Sequence, residues 1–218
     1  MQLTPELIET IKDKFSEPLP GRASQYRMAH VGRDFPTFDT SKARKAAVVI
    51  LLYPNAQKET QLVLIQRMFH PKDQHAGQIS LPGGKLELSD ASPKAAALRE
   101  LEEELGVPSN DVTILGQLSE LPISVSNFLV YPFIGVINQR PVFIPQPSEV
   151  HAILETPIIK FLEKSMRRKK DLKLRKGLVL KNVPYFDIKG HTVWGATAMI
   201  LNEFSELITG KILSAENG

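Results

Sequence analysis

The chain has 218 residues, of which 42 % are apolar and 23 % charged, a composition that supports a buried core and excludes a disordered polyelectrolyte. There is no cysteine, so disulfides, thiolate metal sites and cysteine nucleophiles are excluded, and any metal must be held by oxygen or imidazole. The net charge of +3 is uneven: residues 164–176 carry +7 and leave −4 for the remainder.

The length favours one domain with extensions. The division expected is an N-terminal helix and extended arm over residues 1–40, then a main domain over 41–218. The first residues lack a basic stretch followed by an apolar one, and no apolar run approaches the roughly 18 residues of a membrane span. The expectation is a soluble cytoplasmic protein that does not engage a membrane.

Thr4-Pro5-Glu6 reads as an N-cap, a first-turn proline and a dipole-compatible acid, which predicts a helix through Phe15. Pro18 to Thr40, with its prolines and glycines, reads as an extended connection. Ala46–Tyr53 is a continuous apolar run of strand length, and Gln61–Gln66 follows a polar turn, which predicts a hairpin. Ile79-Ser80-Leu81 forms a short strand running into Pro82-Gly83-Gly84. Ala91–Leu105 is helical, with Ala95, Leu98, Leu101 and Leu105 as its apolar stripe, Ser92-Pro93 at its start and Gly106 as its stop.

Strands are predicted at Val112–Leu118 and Phe128–Ile137, while Pro157 leaves Glu149–Glu163 open between helix and strand. The alternation Leu172-Lys173-Leu174-Arg175 and then Leu178-Val179-Leu180 suggests a hairpin around Lys176-Gly177. A last helix is expected over Gly195–Ile208. A mixed sheet flanked by helices follows, an α+β fold. The basic segment reads either as a phosphate- or partner-binding patch or as the solvated face of an edge strand; no nucleic-acid motif accompanies it, and no nucleic-acid partner is expected.

At about 100° per residue, Glu103 and Glu104 fall roughly 60° and 40° to either side of Glu100, so three carboxylates share one helix face. Like charges at these spacings repel. A cation between them would relieve that repulsion, and hard oxygen ligands suit Mg²⁺ or Mn²⁺. A solvated acidic face is the plainer alternative. Gly83 and Gly84 just upstream allow backbone to approach a metal or phosphate closely, and Arg99 could orient Glu103 by an ion pair.

The stretch Gly84–Val107 (GKLELSDASPKAAALRELEEELGV) resembles the Nudix box, G-x5-E-x7-R-E-U-x-E-E-x-G-U with U apolar. Arg99 to Val107 fits the second half at every position. In the first half Asp90 stands where glutamate is expected, and eight residues rather than seven separate it from Arg99. The resemblance implies a Nudix-type α/β/α sandwich with a central mixed β-sheet. It implies Glu100, Glu103 and Glu104 as metal ligands, joined by the Gly84 carbonyl, and pyrophosphate hydrolysis as the chemistry. The catalytic candidates are Glu103, Glu104 and Arg99, with Glu120 and Glu149 as bases from outside the box.

Leu64-Ile65-Gln66-Arg67, His75–Gly84 (HAGQISLPGG) and Val193–Ala198 (VWGATA) are similar to the coenzyme A pyrophosphatase branch of that family. The similarity runs from about Ala46 to Ile208. It implies hydrolysis of CoA or a CoA derivative to 3′,5′-ADP and 4′-phosphopantetheine, with Arg67, His75, Gln78, Gly83 and Gly84 near the substrate. His75 and Gln78 could equally only brace the loop. ADP-ribose or another nucleoside diphosphate derivative is the alternative substrate, and a non-catalytic CoA or nucleotide sensor the alternative class. The partner implied is a small molecule, and a homodimer is compatible with it.

Overall fold

The computed structural model describes residues 1–30, 38–69, 75–174 and 177–215. His70 of the upstream motif and the expected turn at Lys176 lie outside the described residues. The apolar run predicted as a buried strand is the centre of the main sheet, β1 (Arg44–Pro54). It runs parallel to a strand at Phe128–Val136, from Arg44 opposite Phe128 to Leu52 opposite Val136. Its other edge is shared. The Thr60–Arg67 strand (β2) pairs antiparallel with the end of β1, Leu52 opposite Leu62. A short strand at Ile79–Ser80 (β3) pairs with β2, and Gly83–Lys85 (β4) pairs with the start of β1, Ala47 opposite Gly84.

The remaining elements follow in chain order. An α-helix at Pro5–Asp13 (α1) and another at Gly21–Tyr26 (α2) precede β1. The acidic helix is α3 (Pro93–Leu105), followed by β5 (Thr113–Gln117) and β6 (Leu121–Ile123), which pair with the two ends of β7, the Phe128–Val136 strand. β8 (Val150–Pro157) lies antiparallel to β2. A one-turn helix α4 (Ile159–Leu162) leads to a three-stranded antiparallel sheet of β9 (Arg167–Lys173), β10 (Val179–Ile188) and β11 (His191–Trp194). Helix α5 (Gly195–Ala215) follows. Among the described residues no helix is long and apolar enough to cross a membrane.

β1 shows no polar alternation because both faces of the sheet are covered. Val49, Leu51 and Tyr53 pack with Val63, Ile65, Leu101 and Leu105 on the α3 side. Ile50 and Leu52 pack with Leu62, Leu64, Leu201 and Phe204 on the α5 side. The fold is therefore α+β, a mixed central sheet between helical layers.

Two expectations need correction. Residues 18–40 are not extended throughout, because α2 forms there and Met28 is buried behind it. The support for α2 is tertiary. Glu203 of α5, with no exposed surface, accepts hydrogen bonds from the Gly21 N–H (3.2 Å), the Gln25 amide (2.7 Å) and the Ser119 N–H (3.1 Å). Helix α5 also runs beyond Ile208, since Gly210 in a helix interior costs only about 0.5–1 kcal/mol and does not end it. The ambiguous 149–163 stretch resolves into β8 and then α4, with Pro157 at the strand end opposite Gln61.

Candidate active site

Helix α3 is fixed at both ends by local chemistry. The Ser92 hydroxyl accepts from the Ala95 N–H (3.1 Å), Pro93 occupies the first turn, and Gly106 adopts the left-handed conformation (φ 67°). Leu101 and Leu105 are buried in the core, while Ala96 and Ala97 pack on Ala47 and Phe133. That orientation sets the acids at graded depths. Glu104 is 2 % exposed, Glu100 is half-buried, and Glu103 is exposed.

The Pro-Gly-Gly segment is built around these acids. The Gly83 N–H donates to Glu104 Oε2 (2.8 Å), and its φ of 139° suits glycine. A Cβ at Gly84 would stand 2.5 Å from the Glu100 carboxylate. Backbone and carboxylate can come together only because no side chain intervenes.

A third carboxylate arrives from another element. Glu149 lies just before β8, and the segment leading to it is laced to the end of α3: Ile144 N–H donates to the Leu105 carbonyl (2.8 Å) and Gln146 N–H to the Glu104 carbonyl (2.9 Å). Glu100, Glu104 and Glu149 each present an oxygen within 4.8 Å of the others. Burial, first, pushes the Glu104 carboxyl up to about 8, against the Gly83 N–H that favours the charged form; Glu100 and Glu149 push it further and Arg67 opposes them. Burial likewise raises Glu100. Three hard oxygens at this spacing fit a divalent cation.

Arg99 is the hub of the exposed side. It makes a two-point pair with Asp90 (3.0 and 3.0 Å) and also reaches Glu100 (3.1 Å), Glu103 (2.8 Å) and the Lys85 carbonyl (3.1 Å). The Asp90 hydrogen bond first, then the charge and hydrogen bond of Glu100 and the charge of Glu103, raise the arginine against its partial burial, and Arg99 in turn holds Asp90 below the usual carboxylate range. The extra residue in the first half of the box is thus absorbed in the loop before α3, and Asp90 still meets Arg99. Glu103 stands outside the Glu100–Glu104–Glu149 group. Beside it an open cleft of about 440 Å³ is lined by Arg99, Glu102, Glu103 and Ser109.

Arg67 ends β2. Its N–H donates to the Gln78 carbonyl (3.0 Å) and its carbonyl accepts from Gly77 N–H (3.1 Å). His75 Nδ1 and Gln78 Oε1 are 3.2 Å apart, so both also brace this loop. The Met68 N–H donates to the Glu149 carbonyl (2.7 Å), which ties the loop's base to the third acid. Glu120 is not in the group. The register Gly84–Ala47–Tyr131 continues past β7, where Leu121 faces Val130, so Glu120 lies about three strand spacings of ~4.8 Å from Gly84. Its charge raises Tyr131.

The edge-to-face pair of Phe69 and His151 (5.5 Å) beside this loop was not anticipated. The two residues are distant in sequence and meet only through the β2–β8 pairing.

A mixed sheet with an acidic helix held against a glycine strand brings together three carboxylates that could hold a cation. Residues 43–168 match the NUDIX domain. The chain is 34 % identical over 169 residues to the uncharacterised Nudix hydrolase NudL of Salmonella paratyphi B, covering 78 % of this chain and 85 % of that one, and matches NudL of Salmonella newport equally. Among solved structures, the Nudix hydrolase RenU of M. smegmatis superposes with a TM-score of 0.54 at 17 % identity, covering 78 % and 88 % of the two chains. A MutT/nudix family protein of Enterococcus faecalis gives 0.50 at 16 % identity, covering 96 % and 77 %. This chain belongs to the NUDIX domain family of hydrolases.

Proposed function

We propose that the protein is a divalent-cation-dependent pyrophosphohydrolase, with Mg²⁺ or Mn²⁺ as the cation, that cleaves CoA or a CoA derivative to 3′,5′-ADP and 4′-phosphopantetheine or its acylated form. The observation that carries the hydrolytic half is the meeting of Glu100, Glu104 and Glu149 within 4.8 Å. The upstream motif around Arg67, His75 and Gln78 supports the CoA half.

In this reading Glu100 and Glu104 hold the cation, with Glu103 and the Gly84 carbonyl beside them. A bound divalent cation neutralises diphosphate oxygens and lowers the pKa of a coordinated water. Arg99, fixed by Asp90, keeps Glu103 and Glu100 oriented. Of the two outside bases, Glu149 is the better placed. It sits in the acidic group, is exposed, and its carboxylate has no hydrogen-bond partner among the described residues, so it is able to take a proton from the attacking water. Glu120 lies about three strand spacings of ~4.8 Å away along the sheet. Arg67 and the 75–78 loop line the approach used by the substrate.

The test is to incubate the protein with CoA, acyl-CoAs, ADP-ribose and NADH, with Mg²⁺, with Mn²⁺ or with chelator. Metal-dependent release of 3′,5′-ADP from CoA is expected, reduced by at least about 10²-fold in Glu104→Gln and Glu149→Gln, a loss of about 2.7 kcal/mol of transition-state stabilisation. Faster turnover of ADP-ribose than of any CoA compound would reject the substrate. Binding of CoA without turnover of any compound would point to a sensor.

A further inference from the structure

A second built cavity lies on the other side of the main sheet. Helix α3 packs against Val49, Leu51, Val63 and Ile65, whereas α5 packs against Ile50, Leu52, Leu62 and Leu64, so the sheet separates the acidic group from the α5 layer. In that layer Arg167, Arg168 and Lys169 of β9 face Arg27, Asn202 and Glu206 across an open cavity of about 360 Å³. Met28 and Pro184 supply an apolar wall.

The charges in it are not balanced. Arg27 is matched by Glu206 (3.0 Å) and Arg168 by Asp187 (2.7 Å). Arg167 and Lys169 have no carboxylate partner among the described residues. One guanidinium nitrogen of Arg167 donates to Ser205 Oγ (2.9 Å), while its Nε is buried with no acceptor. Asn202, 1 % exposed, uses its amide nitrogen on the Ser24 carbonyl (2.8 Å), Ser24 Oγ (3.0 Å) and Glu206 (2.9 Å), and its Oδ1 is left buried with no donor. One unmet donor and one unmet acceptor therefore belong to residues lining the same cavity. Buried polar groups are normally satisfied, and the two cations without carboxylate partners among the described residues, Arg167 and Lys169, favour an anionic ligand in this cavity.

The plainer account of a basic β9 is that charged side chains keep an edge strand from pairing with other chains. It explains one face only. Arg168 and Lys170 alternate with Arg167 and Lys169 along β9 and pair with Asp187 of β10 and Thr192 of β11. Arg167 and Lys169 lie on the opposite face, where Arg167 meets Ser205 of α5. An inward guanidinium with a buried Nε does nothing to guard an edge.

We propose that this cavity binds a phosphomonoester of mononucleotide size. The phosphate would be met by Arg167 and Lys169, guanidinium geometry matching its oxygens. The volume is in the range of small-ligand sites, and the Met28–Pro184 wall suits a ring. The site does not rest on the hydrolytic reading and is built from other residues.

The test is calorimetric titration of the full chain with AMP, ribose 5-phosphate and inorganic phosphate in chelator, repeated on Arg167→Met and Lys169→Glu. Saturable binding of AMP is expected, weakened about tenfold or more in both variants. Lys169 is exposed, so Lys169→Glu should keep the wild-type melting temperature even if Arg167→Met does not, and its hydrolysis of CoA should match the wild type. Equal affinity in wild type and Lys169→Glu would overturn the proposal. So would the absence of saturable AMP binding, whether or not an RNA oligonucleotide bound with a steep salt dependence.

Discussion

Glu104 carries a buried carboxyl that accepts, among the described residues, one hydrogen bond, from a backbone N–H, and its protonation links stability to pH. In the metal-free chain its pKa is raised from an ordinary 4.5 to about 8. The folded state keeps a proton that the unfolded state releases near 4.5. Its contribution is thus complete below about pH 4.5 and is lost as pH rises toward 8. A cation binds the charged form, so the melting-temperature gain from Mg²⁺ should be small at pH 5 and larger at pH 8. Thermal scans at both pH values, with Mg²⁺ and with chelator, check this; an equal gain at both would remove Glu104 from the cation site. Asp90 acts at one remove. In Asp90→Ala, Arg99 keeps Glu100 and Glu103 but loses the pair that fixes its angle, so metal affinity should fall about 10–100-fold with little change in melting temperature. A metal titration of the variant reads this directly, and wild-type affinity would show that Asp90 only braces the loop.

At the scale of single elements, legibility followed how local the cause was. Ser92, Pro93, the leucine stripe and Gly106 all lie within α3 or beside it, and its limits were readable to within two residues. The apolar run of β1 was equally plain, since both of its faces are buried. Helix α2 was not, because what holds it is Glu203, nearly 180 residues away. Glu149 was readable as a candidate base by type alone. Its place beside Glu100 and Glu104 depends on the 142–149 segment, whose bonds to α3 have no sequence signature. Asp90 was off-register in the motif, and only the folded loop shows that it meets Arg99. The α3 terminus is therefore where helix geometry and site geometry meet. At Gly106 an added Cβ would lie 2.9 Å from Ile144 Cβ, in a backbone conformation that costs a non-glycine residue about 1 kcal/mol. Gly106→Ala should lose about 1–2 kcal/mol in urea unfolding and also weaken metal affinity, because Ile144 and Gln146 anchor the segment that delivers Glu149. Unchanged metal affinity would separate the cap from the site.

At the scale of the whole molecule, the N-terminal arm and the last helix form one structural unit, although they are the two ends of the described chain. Ile11 of α1 and Met28 beyond α2 are buried in the same core as Phe204 and Leu207 of α5. Burying each contributes about 1.5–3 kcal/mol. Gly21 and Gln25 supply two of the three hydrogen bonds that satisfy buried Glu203, and removing partners from a buried charge costs about 3–5 kcal/mol. Together these terms approach the 5–15 kcal/mol that stabilises a typical domain. Deleting residues 1–40 should therefore abolish cooperative unfolding or lower the melting temperature by more than 10 °C, by the usual few degrees per kcal/mol. If the cause is the stranded charge, Glu203→Leu should destabilise the full chain yet recover part of the loss in the truncated one. Such opposite signs are a coupling that loss of apolar contacts alone would not produce. Ser119, the third partner of Glu203, precedes Glu120, so the same anchor holds that acid's loop against the sheet. A truncated chain that melts like the full one would show instead that the arm is an accessory and that Glu203 finds other partners.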